Sequence, residues 1–267
     1  MYKRILLFIM TGLAGCLSIS AQDTDTGKAG IIIRDSSRIT TLDRHTGRSK
    51  TPIAYKSFLI PATLIVYGIL AGHTDAFQDI NEAIKEEVFT ERRPAKTKID
   101  NYLQYAPAVL VYGLNIAGIH GKNNFRDRTI IYGISNLIVG ATVYATKNIT
   151  AETRPDGSDN LSFPSGHTAT SFAAAEFLRQ EYKDVSPWYG VGGYLAAAAT
   201  GYLRISNNKH WAGDVVAGAG VGIASARLAY LIYPAIKRKL FKNREVSTLL
   251  LPGWQNGSWG LALVHHF

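Results

Sequence analysis

Cysteine is almost absent. Cys16 is the only one among 267 residues, so no intrachain disulfide can form, and no Cys/His cluster offers zinc-like spacing. Charge is scarce as well: 18% of residues are charged, below the ~25% of ordinary soluble domains, which excludes a disordered chain or a charge-rich coiled coil. Acidic groups are the scarcer half, 20 against 29 Lys and Arg, leaving a net charge of +9. Those basic residues are scattered between apolar runs instead of forming a stripe, so a nucleic-acid partner is not expected. No internal repeat is visible. What the chain has in quantity is apolar side chains, 46% of residues, at a mean hydropathy of +0.01. That lies between a soluble domain and a bundle built only of spanning helices, and the length suits one large domain or two small ones.

Residues 1–21 carry Lys3 and Arg4, then the apolar run Ile5 to Met10, then small residues up to Ala21. This pattern predicts a secretory signal cleaved after Ala21. Two other readings stay open: Leu13-Ala-Gly-Cys16 as a lipoprotein box with Cys16 lipidated, or an uncleaved anchor. Residues 22–52 are polar and read as a flexible lead-in. The segment 53–236 alternates apolar stretches with short polar connections: 57–72, 102–119, 129–146, 165–178, 188–203 and 212–234. The fold class expected is therefore all-α, a bundle of about six core helices, mostly apolar and rich in Gly and Ala as close helix packing requires. A seventh, peripheral helix from Asp79 to Arg92 is amphipathic, with Ile80, Ile84 and Val88 on one face. The basic tail 237–267 includes Asn256-Gly257 between two apolar runs, the signal of a short β-hairpin.

Three polar patches interrupt the apolar pattern. The first is Lys147 to Arg154-Pro155, two cations seven residues apart at the end of a helix. Lys85…Arg92-Arg93-Pro94 looks nearly the same, and only proximity to the second patch favours 147–155. That second patch, Phe163-Pro-Ser-Gly-His-Thr168, opens a helix. Ser165 there is an ordinary cap. Beside an anion, the same first-turn N–H groups and hydroxyl form a phosphate cradle, and His167 can protonate a leaving group. The third patch places Arg204 at one helix end and His210 and Asp214 at the start of the next. Spaced four apart, the carboxylate can hold one ring nitrogen and leave the other free; a simple His–Asp helix pair has the same spacing.

Taken together, Lys-x6-Arg-Pro, Pro-Ser-Gly-His and Arg-x5-His-x3-Asp resemble the signature of the type-2 phosphatidic acid phosphatase family, whose superfamily includes class A acid phosphatases and vanadium haloperoxidases. The resemblance covers about residues 55 to 235. One departure is Leu203, where the family motif begins with Ser before Arg204; the neighbourhood of Arg204 lacks that hydroxyl. The resemblance implies His210 as a nucleophile forming a phosphohistidine, Asp214 as its orienting partner and His167 as general acid and then base. It implies Lys147, Arg154 and Arg204 on the phosphoryl oxygens, with Ser165 and the Gly166 N–H completing the cradle. No cofactor or metal is expected, since three cations can balance the charge of the transferring group.

The resemblance also implies a phosphatase with a phosphorylated lipid or a small phosphate ester as substrate. Apolar helices around a cationic pocket favour an envelope lipid: phosphatidic acid, phosphatidylglycerol phosphate, undecaprenyl pyrophosphate or a lipid A phosphate. The alternatives are a soluble periplasmic acid phosphatase, a vanadium-dependent haloperoxidase and a non-catalytic envelope scaffold. The expected location is a bacterial cell envelope, in the inner membrane or periplasm, with the site facing the periplasm. Six spans would put the basic loops opposite the motifs, yet a cleaved signal would invert that arrangement; the segment 165–178 is also short and followed by Arg179, and the last one contains Arg227. Not every helix is therefore expected to cross. The pattern leaves the oligomeric state open.

Overall fold

Proline, capping residues and glycine decide where the apolar runs become helices. Among the described residues there are eight α-helices: α1 (Lys56–His73), α2 (Asp75–Lys85), α3 (Asp100–Leu103), α4 (Ala106–Ile116), α5 (Phe125–Thr150), α6 (Gly166–Tyr182), α7 (Pro187–Ser206) and α8 (Ala212–Phe241). A π-helical turn, Glu86–Glu91, continues α2. This is a computed structural model, and it describes residues 56–241, 248–255 and 258–265. The expected signal 1–21, the lead-in 22–52 and the turn residues Asn256-Gly257 lie outside the described residues. Strands β1 (Thr248–Gln255) and β2 (Ser258–His265) pair antiparallel, Gln255 opposite Ser258.

The fold is all-α, with two differences from the expected boundaries. The apolar stretch 102–119 is not one helix. Pro107 lacks an N–H and sits in the first turn of α4, where that donor is not needed; α4 begins at Ala106 and the preceding residues form the separate turn α3. The amphipathic helix starts four residues earlier than its apolar stripe suggested, at Asp75, with Thr74 in an extended cap conformation. Elsewhere the caps act as their sequences indicate. Asn124 accepts the Asp127 N–H at 2.8 Å to open α5, and Ser186 with Pro187 opens α7.

Helix α6 is the centre of the bundle, buried along most of its length and packed by α4, α5, α7 and α8. Its interior charge is neutralised locally. Fully buried Glu176 accepts from Arg179 at 2.6 Å and from Arg227 of α8 at 2.9 Å, and Tyr194 of α7 also donates to it. The two arginines that looked out of place in apolar helices therefore face one carboxylate inside the bundle. The outside is apolar instead: Leu59, Val66 and Ile69 on α1, Val109 on α4, Leu137 and Tyr144 on α5, and Leu195 on α7 are all exposed. Three helices, α1, α5 and residues Ala212–Lys239 of α8, are long and apolar enough to cross a membrane.

Glycine sets the distance between α8 and the start of α6. A Cβ on Gly218 would lie 2.6 Å from the Ser165 carbonyl, and one on Gly222 would lie 2.2 Å from the Ala169 carbonyl. These backbones approach as closely as helices can, which is the usual role of small residues at such seams. We expect Gly218→Ala to push the α6 N-terminus away from α8 and to destabilise the protein by about 1–3 kcal/mol, the range for overpacking a close interface. A thermal melt of the detergent-solubilised variant measures this; an unchanged midpoint would show that the seam is slack.

Candidate active site

The three polar patches converge at one end of the bundle, where α5 ends and α6 and α8 begin. Helix α5 closes at Thr150, and Ala151 takes a left-handed conformation, φ 45°, that turns the chain sharply into the loop bearing Arg154. Ser165 caps α6: its Oγ lies 3.5 Å from the Thr168 N–H that it accepts and 2.9 Å from the Thr168 hydroxyl. Gly166 is the first residue of the helix, and a Cβ there would only touch Val143 at an ordinary 3.5 Å. The Ser165 N–H donates to the Asp214 carbonyl at 3.0 Å, which fixes the start of α6 against the start of α8.

Asp214 is buried and its Oδ2 accepts three bonds: from the Ser162 hydroxyl at 2.5 Å, the Trp211 N–H at 2.9 Å and His210 Nδ1 at 3.3 Å. The other His210 nitrogen, Nε2, is 3.2 Å from Arg154 Nη1. A guanidinium only donates, so Nε2 presents its lone pair and the imidazole proton sits on Nδ1, toward the carboxylate. Burial pushes His210 down to about 4, against the pull of the Asp214 bond; the charges of Arg204 and Lys147 push the same way. The ring is therefore neutral, oriented and surrounded by cations.

The cations are each held by protein acceptors. Lys147 donates to the Ser162 carbonyl at 3.1 Å and to that of Leu161. Arg154 donates to Asp159 at 2.6 Å and to the Lys209 carbonyl at 3.1 Å. Arg204, at the end of α7 and mostly buried, donates to Asp100 at 2.6 Å. His167 lies in the first turn of α6 with Nε2 2.8 Å from Asn101 Oδ1. Burial pushes it down to about 4 as well, and Arg204, Arg154 and Lys147 add to that while Asp100 opposes. All eight residues singled out in the sequence thus belong to this end of the bundle.

The other cation pair is arranged differently. Arg92 pairs with Glu87 at 3.0 Å, and Lys85 pairs with Glu82 at 3.7 Å while lying over the Trp211 ring at 4.8 Å. Helix α2 is nonetheless tied to the site: the buried Asn81 accepts the Gly213 N–H at 3.0 Å and donates to the Ala71 carbonyl at 3.0 Å. Asn81, Asp100, Asn101 and Ser162 escaped the sequence reading because no spacing links them to their partners, 52 to 132 residues away apart from Asn81 and Ala71. Glu152 escaped too; burial first, and Asp214 next, push its carboxyl up to about 7, with Lys147 opposing.

Residues 128–238 match the model of the PAP2 superfamily. The chain is 35% identical over 209 residues to a lipid A 1-phosphatase of Porphyromonas gingivalis, the match covering 75% of this chain and 44% of the relative. The chain thus spans less than half the length of that relative. Two solved structures overlay with TM-scores of 0.44. One is LpxE of Aquifex aeolicus, 18% identical, covering 60% of this chain and 98% of its own. The other is a transmembrane PAP2-type phosphatidylglycerolphosphate phosphatase of Bacillus subtilis, 22% identical, covering 69% and 99%.

The two depressed histidines make stability depend on acid. Both are near 6.5 when unfolded and about 4 when folded, so the unfolded chain binds more protons between those values. Their contribution is complete above pH 6.5 and is lost as the pH falls through about 4. We expect the melting midpoint to drop across that window and the drop to flatten in His210→Gln, read by melts of both proteins from pH 7 to 4. An equal slope in the variant would mean that His210 is not held neutral.

Proposed function

We propose, from the match of residues 128–238 to the PAP2 superfamily and the geometry of the site, that the chain is a metal-independent phosphatase acting through a phosphohistidine on an envelope lipid phosphate. The observation that carries the reading is His210, held through Nδ1 by Asp214 with its Nε2 lone pair facing Arg154. In this reading phosphate draws Arg154 onto its own oxygens and so uncovers Nε2. That nitrogen attacks phosphorus, the bond to the leaving oxygen breaks, and the oxygen takes a proton from His167. Water then attacks the phosphohistidine, gives its proton to His167 and releases inorganic phosphate, restoring both rings. Lys147, Arg154 and Arg204 face the charge spread over the equatorial oxygens, while the Ser165 hydroxyl and the Gly166 N–H complete the cradle at the start of α6. Leu203 contributes no hydroxyl there, and Arg204 relies on Asp100 for its position.

The apolar exterior supports a lipid over a small soluble ester, because an amphiphile can keep its chains in the bilayer and present its phosphate at the helix ends. Within that class, the lipid A 1-phosphatase relative favours a lipid A phosphate group. Helices α5 and α8 run antiparallel between the two ends of the bundle. Lys237, late in α8, donates at 2.6 Å to Asp127, early in α5, so both lie opposite the site, with Arg126 and Arg128 nearby in sequence. Such a basic end belongs on the cytoplasmic side, which turns the site toward the periplasm. The organisation proposed is an export signal at 1–21, a lead-in at 22–52, the phosphatase bundle at 53–236 and a basic tail.

Purified protein should release phosphate from a short-chain lipid phosphate in EDTA and be inhibited by vanadate. His210→Ala should abolish turnover, and His167→Ala should lower kcat by ~10²–10⁴-fold, the scale of a lost general acid. Lys85→Ala and Arg93→Ala should leave most of the activity, whereas Arg154→Ala should not. Loss of turnover on chelation, or an active His210→Ala, would overturn the mechanism.

A further inference from the structure

The orientation of His210 has an evident source in Asp214, but among the described residues no carboxylate is hydrogen-bonded to His167. Among the described residues its side-chain partner is Asn101, 66 residues upstream, whose Oδ1 lies 2.8 Å from Nε2. Asn101 belongs to α3, the short turn that precedes the Pro107-led start of α4. That turn is anchored at two points just before Asn101. Thr97 and Asn207 form a reciprocal pair, with the Asn207 amide donating to the Thr97 carbonyl at 2.9 Å and accepting the Thr97 N–H at 3.1 Å. Asp100, fully buried, accepts from Arg204 at 2.6 Å. Residues 97–101 thus form a strap pinned across the end of α7, and the side chain next to its deepest anchor reaches the α6 histidine.

From this geometry, and resting on the catalytic reading above, we propose that Asn101 is a positioning residue that holds His167 by Nε2 and so reserves Nδ1 as the nitrogen that gives and regains the proton. An amide oxygen can only accept, so with Oδ1 facing the ring the Nε2 proton stays in place through the cycle. A phosphate dianion bound beside the ring favours the imidazolium that the empty site disfavours, and in that form Nδ1 is the nitrogen able to release its proton to the leaving group. Once it has done so, Nδ1 carries the lone pair that takes the proton of the hydrolytic water. The two histidines are then fixed with opposite polarity: His210 is held at Nδ1 and reacts at Nε2, and His167 is held at Nε2 and reacts at Nδ1. An amide suits the second better than a carboxylate would. It fixes the tautomer without adding a negative charge that would hold the proton too tightly for transfer.

The charged groups acting on His167 come from several elements: Arg204 on α7, Asp100 on α3, Arg154 in the loop after α5 and Lys147 on α5. None of them is altered in a substitution at Asn101, so the effect can be read separately. The experiment is the pH dependence of kcat with a lipid phosphate, each variant being compared with the unaltered protein at the same pH. General acid function is lost above the pKa of His167 in the complex. Asn101→Ala removes the acceptor and should move that alkaline limb to lower pH with kcat reduced roughly tenfold or more, the scale of one hydrogen bond to a charged group. Asn101→Asp restores an acceptor and adds a charge; it should move the limb to higher pH by roughly one unit. Opposite displacements support the positioning role. A limb that stays put in both variants, or moves the same way in both, overturns it even if activity falls. His167→Ala is measured alongside: if that variant keeps the limb and most of its kcat, the assignment of His167 itself fails, whereas an inactive His167→Ala with unmoved Asn101 variants sinks only the inference about Asn101. Should Asn101→Ala not fold, the Asp variant and Asn101→Gln, which keeps the amide but displaces it, give the same decision from the limb alone.

Discussion

The junction of α6 and α8 at the polar end of the bundle is built around Asp214. Its carboxylate gathers three donors, from Ser162, Trp211 and His210, and its carbonyl accepts the Ser165 N–H at the start of α6. One residue in the first turn of α8 thereby fixes a histidine ring, the corner 162–165 and the origin of the central helix. A buried carboxylate at a helix N-terminus is favoured by the dipole and the free N–H groups of that turn, so the position tolerates the charge that it needs. The glycine seam has the same purpose from the packing side. Without the close approach at Gly218 and Gly222, the Ser165 N–H would not reach Asp214.

The distribution of charge elsewhere follows from an inverted solvent. Few charged residues are available, and those inside the helices are spent on Glu176, Glu181 and Asp127, each joined to Arg, Lys, Tyr or Asn partners. Such buried pairs contribute little net stability once desolvation is counted, but removing one partner leaves a costly unpaired charge. They specify how α6 meets α7 and α8, where a wholly apolar seam would allow neighbouring registers. The exterior, like the core, then carries Leu, Val, Ile and Tyr, and polar groups gather in the buried pairs between helices and at the ends of the bundle.

Most of the helical plan was legible because apolar stretches of 15 or so residues, bounded by Ser, Asn and Pro, leave little choice. The break at Pro107 was legible in principle and was overridden by the apolar run around it. The eight residues of the three patches could be read because each patch is local, with spacings of one or two helical turns. The strap 97–101, Asn81 and Ser162 could not. Each is a common polar residue whose meaning comes from a partner far along the chain, and one sequence does not record which distant residues meet. The pairing of Arg179 and Arg227 was hidden for the same reason: a helix-period reading shows that a charge is present but not that a carboxylate on another helix awaits it.

The resting arrangement of the cations also bears on how a phosphate would be received. Lys147 rests on backbone carbonyls, Arg154 on Asp159, a carbonyl and the His210 lone pair, and Arg204 on Asp100. Three positive groups are thus placed by acceptors of unequal strength. Carbonyls are neutral and yield readily to an anion, so Lys147 is the cation most easily recruited. Arg204 keeps a buried carboxylate at 2.6 Å, the strongest of the three resting partners. Arg154 lies between these limits, and in the proposed mechanism its shift is the one with a chemical consequence, since moving Nη1 from His210 to phosphate would expose the attacking nitrogen only when there is a phosphorus atom to attack. In the proposed mechanism the same guanidinium therefore masks the nucleophile and binds the group that it attacks, which ties exposure of the lone pair to occupancy of the site.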